Sequence, residues 1–155
     1  MSRTDEFAQK IYQSILDGSG DAVHLQDFDR YRPFFLLPHV LETFEGRTVI
    51  DTPEALRAAF DTVQACLGNL GVTRMERTCT MAEFADDRTI QGVHTTRLVG
   101  VEGTVVDTYA GLCTLRRVDG QWRVAISQFA EEQVSLPSRT LRNYTRGPDR
   151  AEAAQ

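Results

Sequence analysis

The chain holds three histidines and three cysteines, and of these His94 stands where chemistry is easiest to place. It falls within Ile90-Gln91-Gly92-Val93-His94, an alternating stretch that points it toward an apolar face. An imidazole titrates near neutrality, so it can act as general acid or base without a large shift. Gly92 lies two residues earlier and Gly111 is expected opposite; neither fills volume beside the ring, and a pocket is predicted there. The alternative is a core histidine satisfied by one hydrogen bond, with glycines that allow the sheet to curve. Tyr12, His39, Glu42, Asp107, Tyr109 and Gln128 are polar groups that could share the cavity, Asp107 as a rim residue. The candidate catalytic set is therefore His94, Tyr12 and Glu42. Burial would lower the His94 pKa, and Glu42 close to it would raise it again, poising the pair. The candidate ligand contacts are His39, Cys79, Gly92, Tyr109, Gly111, Cys113, Ile126 and Gln128.

Other chemistries find no footing. Cys66, Cys79 and Cys113 are widely spaced, with no CxxC pair and no histidine at zinc-finger spacing, and read as buried free thiols. Two separated histidines make a weak metal case, and no metal or cofactor is expected. The sequence has no GxSxG, P-loop, GxGxxG, HExxH or EF-hand pattern.

The elements that must hold these residues are legible from periodicity. Phe7, Ile11 and Ile15, with Tyr12 and Leu16 beside them, predict a helix over Asp5 to Leu16, ended by Gly18 and Gly20. Asp27 can cap a second short helix carrying Phe28, Tyr31, Phe34 and Phe35, with Pro33 limiting its regularity and Pro38 stopping it. Val40 to Phe44 and Thr48 to Ile50 flank a Glu45-Gly46 hairpin turn. Thr52-Pro53-Glu54 opens a third helix with a buried stripe of Leu56, Phe60, Val63 and Leu67, closed by Gly68. From Val72 to Ala130 the period becomes two, and turns at Asp86-Asp87, Glu102-Gly103 and Asp119-Gly120 divide it into four strands of an antiparallel meander.

Two-residue turns would set Cys79 opposite His94, His94 opposite Gly111, and Gly111 opposite Gln128. Alternation then gives an apolar face with Met75, Cys79, Met81, Ile90, His94, Leu98, Val105, Tyr109, Cys113, Leu115, Trp122, Val124 and Ile126, to be covered by the helices. The reverse face carries Val93, Thr95, Thr108, Ala110, Leu112, Thr114, Ala125 and Phe129 at its centre, Thr78, Thr80, Gln91 and Ser127 besides, and Arg74, Glu76, Arg97, Arg116 and Arg123 toward the strand ends. An apolar centre with a charged rim predicts a homodimer through that face.

At 155 residues, with 41% hydrophobic and 25% charged residues, one globular domain over residues 5–132 is expected, followed by a polar tail over 133–155. The tail carries Arg139, Arg142, Arg146 and Arg150 and reads as solvated or as a partner-binding arm. A net charge of -5 with scattered acids argues against a nucleic-acid partner. Met1 to Phe7 has no apolar core and no later run is long enough to span a bilayer, so no membrane association and a cytoplasmic location are expected.

The order of elements, with Phe34-Phe35-Leu36-Leu37-Pro38 before a short strand, the Gly46 hairpin, Thr52-Pro53-Glu54-Ala55-Leu56 opening a helix and then four long strands, resembles nuclear transport factor 2-like and SnoaL-like domains. The resemblance covers roughly Asp5 to Glu132 and implies an α+β fold: a cone-shaped, curved antiparallel sheet of about four long strands plus a short hairpin, covered on one face by two or three N-terminal helices. It also implies a pocket between helices and sheet and pairing through the outer face. Ketosteroid isomerase shares that fold and works with a carboxylate base, a Tyr and a protonated Asp. Tyr12 matches the phenol, but Thr43 falls where the base should be and Cys113 where the protonated acid should be; Glu42 is one position away. His94, His39 and Tyr12 bear a faint likeness to the polar set of scytalone dehydratase-like members. The functional expectations are a small organic ligand in the cone, a cofactor-independent isomerase, cyclase or dehydratase using His94, or a non-catalytic interaction domain.

Overall fold

The computed structural model describes residues 2–43 and 46–129. Phe44, Glu45 and the tail expected from residue 133 lie outside them. The first helix, α1, runs over Arg3–His24, with Ser2 accepting from the Asp5 N–H at its start. It is longer than the expected Asp5 to Leu16, because Gly18 and Gly20 do not end it. A Cβ at Gly18 would overlap the Phe34 ring, and Gly20 lies against the Arg77 guanidinium. Close packing at two points outweighs the cost of about 1 kcal/mol that each helical glycine carries. The buried stripe is Ala8, Tyr12, Ile15, Leu16, Ser19, Ala22 and Val23. Phe7, expected on that stripe, is 61% exposed and stacks on Phe84 instead.

Asp27 caps α2, Phe28–Tyr31, by accepting from the Arg30 N–H, and a 3-10 turn over Arg32–Phe34 follows with Pro33 in its first turn. The chain then extends into β1, Phe35–Thr43, three residues before the proline expected to stop the helix; the Leu37–Pro38 peptide is cis. β1 pairs antiparallel with β2, Gly46–Ile50. Thr52 accepts from the Ala55 N–H to start α3, Pro53–Asn69. Gly68 stays within its last turn, and the chain leaves through Leu70 and Gly71, whose φ of 72° suits a glycine.

The remaining strands are β3 (Val72–Asp86), β4 (Thr89–Gly100), the two-residue β5 (Gly103–Thr104), β6 (Tyr109–Val118) and β7 (Gln121–Phe129). They form one sheet in the order β2-β1-β7-β6-β4-β3, with β5 on β4. The meander is as expected, but β1 joins β7 in parallel, so the sheet is mixed at that junction. Cys79 does lie opposite His94, and His94 opposite Gly111. Gly111 lies opposite Phe129 and not Gln128: pairing shifts between Thr114 and Leu115, where Ala125 is the extra residue on β7.

That bulge reverses the inward and outward positions along the rest of β7. Ser127 and Phe129, expected outside, face inward, while Ile126 and Gln128, expected inside, face outward. A second shift between Cys79 and Met81 turns Met81 outward, at 54% exposure, and brings Ala82 into the core. The helices lie on the concave face. One core cluster, including Leu56, Phe60 and Leu98, gathers under α3; a second, including Tyr12, Ile90 and Leu115, gathers under α1.

Candidate functional site

A cavity of about 140 Å³ lies between the helices and the sheet. Much of its wall is apolar, including Ile15, Leu16, Val23, Leu41, Leu56, Leu115 and Val124. Its polar groups come from separate elements. α1 supplies Tyr12 and Ser19; α2, Tyr31; β1, His39; β3, Arg77; β4, His94 and Thr96; β6, Tyr109 and Cys113; and β7, Ser127. No carboxylate lines it among the described residues.

The central pair is Tyr12 and His94. The Tyr12 hydroxyl lies 2.7 Å from His94 Nδ1 and 3.2 Å from the Gly92 carbonyl oxygen. It has one proton, so it donates either to the imidazole or to the carbonyl; in the second case the imidazole Nδ1–H donates to the phenol oxygen. Gly92 makes this contact possible, because a Cβ there would overlap the Tyr12 ring. The gap expected beside Gly92 is therefore filled by Tyr12. Gly111 has the same role on the other side: its Cβ would stand 3.0 Å from His94 Nε2 and 3.2 Å from Phe129 Cε1.

Both Tyr12 and His94 are almost fully buried. Burial depresses the His94 pKa to about 4, and the Arg77 guanidinium pushes in the same direction. Burial also raises the Tyr12 hydroxyl well above the ordinary phenol range, with Cys113 and Cys79 adding to the effect. The pair is thus a neutral phenol and a neutral imidazole at physiological pH. His39 is likewise held at about 4 by burial, although its Nδ1–H donates to the Val124 carbonyl at 3.3 Å. That tautomer leaves Nε2 as an acceptor. Tyr31 and Tyr109 are each pushed up to about 12 by burial, against the opposing pull of Arg77. Burial also raises the Cys113 thiol, whose sulfur lies 3.8 Å from Ser127 Oγ.

The candidate residues divide accordingly. Tyr12, His39, His94, Tyr109 and Cys113 are brought together around the cavity. Gly92 and Gly111 shape it from behind the rings, and Cys79 packs beside it in the α1 cluster. Glu42, Ile126 and Gln128 do not reach it. Leu41 faces the cavity, so its neighbour Glu42 points to the other side, where Gln128 Nε2 donates to its carboxylate at 2.7 Å. The carboxylate expected to raise the His94 pKa is absent from its surroundings, which is why burial prevails. The three cysteines form no disulfide and are half-buried. No metal-ligating cluster occurs among the described residues, and no helix among them is long and apolar enough to cross a membrane.

The sequence reading missed Arg77, Thr96, Ser127 and Phe129. For Arg77 a signal was present: it shares the parity of Met75 and Cys79 on an inward face, where a charge is out of place. Its Nη2 donates to the Leu16 carbonyl and to Ser19 Oγ, each at 2.6 Å.

No protein-family model and no curated protein matches the sequence. Solved structures do match in fold. A nuclear transport factor 2-like protein of unknown function from Shewanella oneidensis superposes with a TM-score of 0.62 at 14% identity, over 79% of this chain and 98% of that one. A nuclear transport factor 2-like protein with a cystatin-like fold from Novosphingobium aromaticivorans gives 0.61 at 15% identity, over 88% and 89%. Aln2 from a Streptomyces species gives 0.60 at 21% identity, over 78% and 88%. The chain has the nuclear transport factor 2-like fold, an α+β cone, as the order of its elements implied.

Proposed function

We propose that this chain is a small-molecule-binding domain that holds an organic ligand in the cone between helices and sheet. The observation that carries this reading is the Tyr12–His94 pair, bonded at 2.7 Å on the wall of a largely apolar cavity. Sites for small organic molecules are concave and mostly apolar, with a few placed polar groups that fix orientation. The neutral phenol and the neutral imidazole suit hydrogen bonding to a ligand carbonyl or hydroxyl. Filling the cavity tests the reading: Ala59→Phe, on the α3 wall, should abolish ligand uptake while the fold persists. The measurement is native mass spectrometry and ligand-observed NMR on protein purified from its own host. Wild-type protein that takes up no organic molecule from a broad fragment set, at millimolar concentrations, would sink it.

A second reading follows from the same distance. A phenol and an imidazole in direct hydrogen-bond contact can relay a proton, as a cofactor-independent isomerase, cyclase or dehydratase requires. With His94 held at about 4 by burial, it is a weak base, so the pair would polarise a substrate oxygen rather than store its proton. Once a substrate is in hand, full turnover by His94→Asn would exclude this mechanism.

A further inference from the structure

Arg77 is the one permanently charged side chain on the cavity wall among the described residues, and none of their carboxylates lies within ion-pair distance of it. Its neighbours Arg74 and Arg97 pair with Glu76 on the other face of the sheet. Arg77 instead spends one nitrogen on two neutral acceptors, the Leu16 carbonyl and Ser19 Oγ, both on α1. Those bonds fix the guanidinium without neutralising it, and they leave other N–H groups of its five unassigned. Arg77 is half-buried, with the cavity on one side and a more open hollow that holds Asp17 and Asp21 on the other, so its charge is open to an anion that enters the cavity. The field of Arg77 reaches across the cavity: it adds to the depression of His94 and opposes the rise that burial imposes on Tyr31, Tyr109 and Cys113.

We propose that the ligand is an organic anion, a carboxylate or comparable acid, whose charged group pairs with Arg77 while its body packs on the apolar wall. The inference rests on the reading of the cone as a small-molecule site and narrows it. Geometry sets the ligand's two ends. Arg77 pairs with Thr96 and His94 stands two residues further along β4, so the anion site and the Tyr12–His94 pair are separated by about 7 Å along the sheet. A molecule with an acid at one end and a carbonyl or hydroxyl at the other can meet both. An Arg–carboxylate pair is charge-assisted and planar, and this guanidinium is already held in place.

The probes are trans-cinnamate and its neutral counterpart cinnamamide, which share shape and differ in charge at pH 7. Titration of the full chain, followed by NMR, should show cinnamate binding about 10- to 100-fold tighter, as expected for a charge-assisted bond. The Arg77 Nε–H resonance should move with cinnamate alone. Arg77→Met, which keeps the apolar stem, should level the two affinities, and Arg77→Lys should keep a preference for the acid. Should Arg77→Met fail to fold, the Nε–H resonance in wild-type protein still decides. Equal affinity of the two probes, or a preference that survives in Arg77→Met, overturns the anion while leaving the cavity reading in place. Failure of cinnamate to bind while neutral fragments enter also overturns the anion, and failure of both probes together with the broad fragment set overturns the two readings.

Discussion

Acidification from pH 7 to pH 5 should destabilise this protein chiefly through two histidines. His39 and His94 are each 3% exposed, and burial holds both at about 4 against 6.5 for a free imidazole. Between those values the unfolded chain takes up protons that the folded chain refuses, so stability is fully present above pH 6.5 and falls as pH drops toward 4. Each histidine then costs about 2 kcal/mol by pH 5, and the pair about 4 kcal/mol. That is a large part of the 5 to 15 kcal/mol typical of a domain. With a urea dependence of about 2 kcal/mol per molar, the unfolding midpoint should fall by about 2 M from these groups alone. The informative comparison is between variants. His94→Asn keeps a partner for the Tyr12 hydroxyl, and His39→Asn keeps a donor for Val124; each should recover about 1 M of the midpoint loss. His24→Asn, at an exposed position at the end of α1, serves as control and should recover none. If His94→Asn loses as much stability as wild type between pH 7 and 5, folded His94 takes up its proton as readily as the unfolded chain does, and the buried neutral pair is wrong.

Two further outcomes are expected. Gly92→Ala should cost about 1–3 kcal/mol in urea unfolding, because its Cβ overlaps the Tyr12 ring, and the His94 ring resonances should shift as the hydrogen bond breaks; an unchanged midpoint would mean that Tyr12 does not pack there. The reverse face of the sheet carries Met81, Val93 and Leu112 side by side across three strands, with Met81 and Leu112 exposed, and a homodimer through it should sediment as such at micromolar concentration and dissociate in Ala110→Arg; a wild-type monomer, or a dimer indifferent to that charge, would refute the interface.

How far the sequence could be read depended on the range of the signals. Caps and periodicities are local, and Asp27, Thr52-Pro53 and the two-residue alternation led to the right elements in the right order. The Cys79–His94–Gly111 row came from turn counting, but partly by compensation. The first long hairpin turns at Asp87-Arg88 and not at Asp86-Asp87, and two register shifts along β3 restore the pairing before Cys79. On β7 a single bulge had no such partner, so Ile126 and Gln128 were placed inside and Ser127 and Phe129 outside. A bulge has no composition of its own here, and one extra residue inverts everything beyond it. Glu42 failed for a related reason: the short strand could be seen, but its parallel pairing with β7 depends on the whole sheet.

Misplacing Glu42 changes the chemistry more than the geometry. A carboxylate beside His94 would have stabilised the imidazolium and made a proton shuttle near neutrality. What stands beside it is a phenol that resists ionisation and, further along the sheet, a guanidinium that opposes a second positive charge. Burial first, and the guanidinium second, favour the uncharged imidazole. The cone therefore contains one fixed cation, two neutral imidazoles and several protonated phenols, with no described acid facing it. An anionic group on a ligand would complement that cation from the cavity side. A bound anion would offset the pull of Arg77 on His94, while the burial that is the larger cause of its depressed pKa would remain.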